Sequence, residues 1–486
     1  MNTALIQTEI WVLLIGLAAL LFDLWLPASK KSTLGYYVAA LLSVVLYFHF
    51  KLDVESLRFA LAQDSNLSKL MTLDGTSIFL KRIFLASGVL ISIISCTYSK
   101  RFKSGVGEYF VILVFALLGM LFAASARHFS MMFVSIELIT VSFYVLVSFN
   151  RNLLASIEAG IKFLILGALS SSILIFGMAL IYASAGSMDL SVIKSMPSNA
   201  VTDPVFLLGF ILLFSGLCFK VAVVPFQFWA PDVYQGAPTP TTSFLAIGSK
   251  AAGVVLMLRV VYEGLPTSAL FLRDFLFGIS ILTILYGNLC AIPQKNIKRL
   301  LGYSSIANGG YILMGIASMN PSGVEGVLVY LAAYMFAVIG AFSAICFLFP
   351  EGNSEEISSI AGLQKRSTLL SVVLTFSMVS LAGIPPLAGF FGKFFIFKAT
   401  LEATAFSNLA WITLGVAILG VMVSIFYYFG VIRQIYWPDY NSDQTPVKLS
   451  FIQVAVLVLC VAGILWLGIM PASIIEAAKQ AAVSFW

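Results

Sequence analysis

LLGFILLFSGLCFKVAVVPF, residues 207–226, decides how this chain is read. It is an apolar run long enough to cross a bilayer, yet it carries Lys220 and ends on Pro225–Phe226. A charge at mid-bilayer depth costs roughly 2.5–3.5 kcal/mol on insertion scales, so a chain that keeps one there uses it. The pattern recurs with Glu137 in FSMMFVSIELITVSFYVLVSF (129–149), Lys250 in FLAIGSKAAGVVLML (244–258) and Lys393 in LAGIPPLAGFFGKFFIF (381–397). Charges held at such depth mark an ion or proton path. The fold class that follows is an all-α polytopic membrane protein.

Composition agrees. Hydrophobic residues make up 60% of the chain and charged residues only 10%, against about a quarter charged in a soluble domain. With a mean hydropathy of +1.00, nearly all of the 486 residues belong in the lipid bilayer as one integral unit. The net charge of +6 is what basic loops leave in any polytopic protein and implies no nucleic acid. Five cysteines (Cys96, Cys218, Cys290, Cys346, Cys460) show no metal-ligand spacing and read as small buried apolar residues. His49 and His128 stand far apart, which argues against a bis-histidine haem, and no glycine-rich phosphate cradle follows a strand-like run. No cofactor and no metal is therefore expected on this chain, and any redox centre it serves lies elsewhere. The start, MNTALIQTEI, has neither a basic leader nor a small-residue cleavage site and reads as an uncleaved first helix.

About fourteen apolar runs of spanning length are expected, from 9–27 to 450–470. The second (36–50) is short, and the twelfth (369–398) is long and broken. Odd-numbered loops hold the basic clusters, among them Lys30 and Lys31, Lys100, Arg101 and Lys103, and Lys295, Lys298 and Arg299. The positive-inside rule then puts odd loops in the cytoplasm and both termini outside. The expected location is the cell's inner (plasma) membrane, with Lys81, Arg82 and Arg127 running against the rule. Pro225 lies in the seventh span, and Pro385 with Pro386 in the twelfth. Proline removes a backbone donor and clashes one turn back, and helices broken in lipid line cavities where the freed carbonyls find partners. Two broken helices five spans apart, each with a lysine within about eight residues, point to an internal repeat with a site in each half.

Proton transfer needs groups that change charge near neutral pH. Lysine titrates at about 10.4 in water, and burial and neighbouring carboxylates pull that value in opposite directions. Glu137 and Lys220 form such a switchable pair if the fifth and seventh helices touch; a static buried ion pair is the alternative. Lys162 follows Glu158 by four residues, on one helical face, so an interfacial salt bridge is expected there. Whether Lys162 is structural or functional stays open. Lys250 and Lys393 have no acid at neighbouring helical positions and read as proton carriers. Asp23, Arg259 and Lys398 lie near helix ends and are expected to snorkel to an interface. Ser249, Tyr303, Ser304, Tyr311, Tyr330 and Tyr334 can support water chains or simply tie helices together.

At these residues a family resemblance emerges. The stretch FKVAVVPFQFWAPDVYQGAPTPTTSFLAIGSK (219–250) resembles the seventh and eighth helices of subunit N of proton-pumping NADH:quinone oxidoreductase, respiratory complex I. PDVYQGAPTP (231–240) is the run that separates that subunit from its antiporter-like siblings L and M. NIKRLLGYSSI (296–306) and SLAGIPPLAGFFGKF (380–394) are similar to the family's ninth-to-tenth junction and broken twelfth helix. The resemblance covers nearly the whole chain. It implies N-terminal helices over 1–106, one five-helix half-channel over 107–265, an inverted second one over 266–435, and a C-terminal helix within 436–486. By position it implies proton-translocating roles for Glu137, Lys162, Lys220, Lys250 and Lys393. It implies an energy-transducing subunit without a redox centre. NAD, FMN, iron–sulfur clusters and quinone would be held by other subunits, and sibling M and small subunits such as K and J would be neighbours in the bilayer.

Two positions depart from the family pattern: Gln227 and Asn308 stand where histidine is common. An amide only donates and accepts hydrogen bonds, so a relay past Asn308 needs water, with Tyr311 one turn along and Gly309 and Gly310 leaving room. Two other readings share the fold: a subunit of an Mrp-type cation/proton antiporter, and the equivalent subunit of a ferredoxin-driven photosynthetic complex. Neighbouring genes distinguish them.

Overall fold

In lipid a chain must close its hydrogen bonds within each spanning run, and every run expected from the sequence is helical in the computed structural model. The structure describes residues 3–64, 66–197, 203–266, 271–349, 355–437 and 445–486. Among these, twelve helices are long and apolar enough to cross a membrane. The first five are α1 (Gln7–Trp25), α2 (Leu34–Phe50), α3 (Gly75–Tyr98), α4 (Val106–Ser125) and α5 (Phe129–Val147). After them come α6 (Leu154–Ala185), α7 (Pro204–Val221) and, past the short α8 (Trp229–Gly236), the continuous helix α9 (Thr239–Gly264). The second half runs through α10 (Phe271–Ala291), α11 (Ile297–Ala317) and α12 (Pro321–Leu348), then the pair α13 (Thr368–Ala382) and α14 (Ala388–Ala403). The chain closes with α15 (Asn408–Tyr436), α16 (Phe451–Ile469) and the short α17 (Ala472–Ala482). Two expected spans are not among the twelve: one is the 21-residue α11, the other the broken pair α13–α14.

Local signals set the ends. Asp203 caps α7 ahead of Pro204 at its first turn, Asn296 caps α11 through the Arg299 amide, and Ser450 with Gln453 forms a capping box at α16. Helices α9 and α12 form the centre, with 94% and 89% of their apolar windows buried, whereas α15 is at 28% and lies on the outside. Its exposed Ile418, Leu419, Met422 and Phe426 form a stripe suited to lipid.

Both expected breaks are present. Helix α7 stops at Ala222, which adopts φ +60, and α13 stops at Gly383, at φ +86. Gly383 is required twice over, because a Cβ there would also press on the Lys393 chain at 2.7 Å. Side chains take up carbonyls freed at each break: Trp229 Nε1 donates to Phe219 O at 2.9 Å, and Lys393 Nζ donates to Leu381 O and Ala382 O, each at 2.9 Å. A third irregularity carries no proline. Leu245–Ser249 winds as π-helix immediately before Lys250, the kind of bulge that often accompanies a functional position.

Two sequence expectations about charges are corrected. Arg259 does not snorkel; it is fully buried and binds Asp74 through both terminal nitrogens, at 2.8 and 3.1 Å, as well as Glu263 and Ala124 O. A cation with two acids and a carbonyl in reach has no reason to seek the interface. Lys81 is not a loop charge either. It is 1% exposed and pairs with Glu9 of α1 at 2.6 Å, so it does not count against the positive-inside pattern. Asp23 does sit near an end, pairing with Lys31 at 2.8 Å, and Lys398 stays exposed beside Glu402.

Candidate functional site

The first constellation is built by α5, α6 and α7. Lys220 sits on the last turn of α7 and is 7% exposed. It was expected to meet Glu137 of α5 directly; Lys220 does reach α5, through Thr140, but its link to Glu137 is bridged by Ser171 of α6. Lys220 Nζ donates to Thr140 Oγ1 at 2.8 Å and to Ser171 Oγ at 3.4 Å, and Ser171 Oγ donates to Glu137 Oε1 at 2.5 Å. The hydroxyl thus accepts from the ammonium and donates to the carboxylate. Neither Thr140 nor Ser171 was singled out in the sequence. The signal was there in Ser170-Ser171-Ser172, three hydroxyls in the middle of an apolar span.

Lys162 is not brought to this buried group. It lies on the outer surface of α6, where Nζ pairs with Glu158 at 2.7 Å, as its spacing predicts, and with Asp232 of α8 at 2.8 Å. Asp232 also binds Arg299 of α11 at 2.6 Å, so one carboxylate ties α6, α8 and α11 together. Asp232 is part of PDVYQGAPTP, yet nothing in the sequence assigned it a partner.

The second constellation lies across the centre. Lys250, 3% exposed, follows the π-turn of α9 and donates to Ser305 of α11 at both O and Oγ, each at 2.5 Å. Ser305 Oγ in turn meets Tyr234 Oη at 2.9 Å. No carboxylate contacts Lys250 among the described residues. Its helix packs against the first group: a Cβ at Gly253 would lie 3.2 Å from Lys220 Cβ.

One helical turn beyond Ser305, on the same face of α11, Asn308 is 2% exposed and accepts a hydrogen bond from Tyr330 Oη at 2.8 Å. Among the described residues its Nδ2 finds no acceptor. Another turn on, Tyr311 places its ring under the Lys393 ammonium, 5.0 Å from the centroid. Lys393 of α14 is 4% exposed, and among the described residues its hydrogen bonds go only to the α13 carbonyls. Ser305, Asn308 and Tyr311 therefore form one polar stripe between two lysines that have no carboxylate partner. Hydroxyl groups flank it, with Ser304 bonded to Tyr428, and Tyr427 Oη to Asn288 Oδ1 at 3.1 Å. Gln227, the other departure from the family pattern, is 2% exposed with Oε1 unpartnered.

Among the described residues, no three His, Cys, Asp or Glu side chains come together as a metal site.

Residues 126–422 match the family described as NADH:quinone oxidoreductase/Mrp antiporter, transmembrane. NADH-quinone oxidoreductase subunit N of Desulforamulus reducens is 36% identical over 484 residues, covering 100% of this chain and 99% of that protein. A chain of respiratory complex I from Thermus thermophilus superposes with a TM-score of 0.78 at 28% identity, over 96% of this chain and 98% of the other. A chain of the Mrp complex from Dietzia superposes at 0.84 over 100% and 98%, but at 18% identity it shows a shared fold alone.

Proposed function

The chain belongs to the NADH:quinone oxidoreductase/Mrp antiporter transmembrane family, and on that footing we propose that it is the subunit N of an NADH-quinone oxidoreductase and moves protons across the membrane. Likeness in sequence favours the oxidoreductase over the antiporter: 36% identity along the full length stands against 18% for the Mrp chain. The chain would sit in the plasma membrane with both termini outside, flanked by sibling M and by small subunits such as K and J. Those other subunits would hold the NAD, FMN, iron–sulfur and quinone chemistry.

The observation that carries the proton role is the line Lys220, Lys250, Lys393. Each ammonium is at least nine-tenths buried and, among the described residues, each is held by hydroxyls or carbonyls without a direct carboxylate contact. Such partners orient a charge without fixing it, so its occupancy by a proton responds to neighbours. In the half-channel over 107–265, Ser171 passes the pull of Glu137 to Lys220. Weakening that pull frees the Lys220 proton toward Lys250, against whose helix it packs. In the half over 266–435, the Asn308 amide, whose Nδ2 is unpartnered among the described residues, would bind the water that completes the stripe from Lys250 to Lys393. Gly309 and Gly310, expected to leave room for it, instead pack against Val221, Val223 and Ile284. The breaks at Pro225 and at Pro385–Pro386 would let water reach the outer members, with Lys162 and Asp232 holding the junction between halves.

Lys250 tests this reading. Lys250→Ala is expected to abolish coupled pumping in a complex that still assembles. Lys250→Arg keeps the charge but does not release its proton, and is expected to fail as well. Pumping by the arginine variant equal to that of the parent would make Lys250 an electrostatic fixture.

A further inference from the structure

We propose that the groove beside the C-terminal end of α15 binds an anionic phospholipid, its phosphate on Lys295 and Arg433 and an acyl chain along Phe426 and Phe429. The groove is a cavity of about 630 Å³ between α15, the connection from α10 to α11, and the segment around Glu356. That volume is in the range of small-ligand sites, roughly 300–1,000 Å³.

Its lining is layered as a lipid is. Phe426, Phe429 and Arg433 fall on one face of α15, so the apolar floor begins about 6 Å from the cation, at Phe429, and reaches Phe426 at about 10 Å of helical rise. Ile292 closes the opposite wall. The floor is continuous with the exposed Ile418, Leu419 and Met422 stripe, so whatever enters the groove comes from the bilayer. At the polar end both cations are exposed, and among the described residues neither has an ion pair or a side-chain hydrogen bond. The exposed cations at the α6–α8–α11 junction, Lys162 and Arg299, by contrast share the Asp232 carboxylate. Among the described residues Glu356 is the single acid in the lining, against two cations. Basic pockets between spanning helices select anionic headgroups, each Lys or Arg contributing on the order of 1 kcal/mol.

The test uses the purified complex, stripped of lipid in detergent and re-exposed to vesicles of phosphatidylcholine with or without phosphatidylglycerol. Retained lipid is counted by native mass spectrometry. The parent is expected to retain phosphatidylglycerol in preference to phosphatidylcholine. Lys295→Gln and Arg433→Gln should each weaken retention about fivefold, and the double variant about twenty-five-fold. Glu356→Gln should strengthen it, a direction that damage to the fold does not produce. Equal retention of the two lipids, or unchanged retention in the double variant, overturns the proposal. So does a photo-crosslinker at position 426 that captures another polypeptide in place of lipid.

Discussion

Removing one hydroxyl should uncouple Glu137 from Lys220. Ser171 is the shared partner: it donates to Glu137 at 2.5 Å and accepts from Lys220 at 3.4 Å. These distances put carboxylate and ammonium within about 6 Å, where unit charges at an effective dielectric of about 20 still attract by roughly 3 kcal/mol. Ser171→Ala leaves most of that attraction and removes the hydrogen-bonded route. A hydrogen bond to a charged group contributes about 1.5–3 kcal/mol, which corresponds to a tenfold to hundredfold slowing if it is present when the proton moves. Ser171→Thr restores the hydroxyl and should recover most of the rate. The assay is NADH-driven acidification in vesicles containing assembled complex, alongside NADH oxidation and the complex content of the membrane. Glu137→Gln, made in parallel, should be at least as slow, and the double variant Glu137→Gln/Ser171→Ala no slower than the slower single one. The bridging role is refuted if Ser171→Ala pumps within about twofold of the parent while Glu137→Gln is impaired, for the carboxylate would then act without the serine.

The other sites give sharper contrasts than simple deletion. Lys393→Gln keeps an amide donor for the Leu381 and Ala382 carbonyls but carries no proton, so normal assembly with lost pumping is expected; pumping at the parental rate would reduce Lys393 to a helix tie. Asn308→His should be tolerated, whereas Asn308→Leu strands the Tyr330 hydroxyl at about 1–3 kcal/mol and excludes water. Normal pumping in the leucine variant would show that no proton path depends on this position. Arg259→Met leaves Asp74 and Glu263 facing each other without their cation, and should cost roughly 3–5 kcal/mol, read as a lower unfolding temperature in detergent. An unchanged unfolding temperature would mean the cluster is replaceable.

What the sequence disclosed follows from the solvent. Hydropathy reports depth, so the helices, the breaks at Pro225 and Pro385–Pro386, and the burial of Lys220, Lys250 and Lys393 could all be read before any packing was known. Partners could not. In sequence Lys81 counts against the positive-inside rule and Arg259 reads as snorkelling; only Glu263, four residues after Arg259, is within reach of a helical reading. Glu9 and Asp74 lie 72 and 185 residues away from their cations, and no periodicity reports a contact between distant helices. For the same reason Glu137 and Lys220 were paired directly: matching charges suggested it, and only the placement of α6 shows Ser171 between them. The π-turn before Lys250 also left no mark, since LAIGS contains no proline and no residue that forbids an α-helix.

This division bears on how a proton path can be built. A direct carboxylate on every lysine would have been easier to anticipate and would also have been more static, because an ion pair in low dielectric holds its charges in place. The partners found are hydroxyls and carbonyls: Thr140 and Ser171 at Lys220, Ser305 at Lys250, and the chain's own broken backbone at Lys393. Full carboxylate pairing occurs instead at Arg259 and Lys81, outside the polar line. The chain thus separates two uses of buried charge. Where a cation stays, it is neutralised by acids; at the three lysines of the proposed proton line the contacts are neutral, and Glu137 reaches Lys220 only through the Ser171 hydroxyl, a group that can rotate.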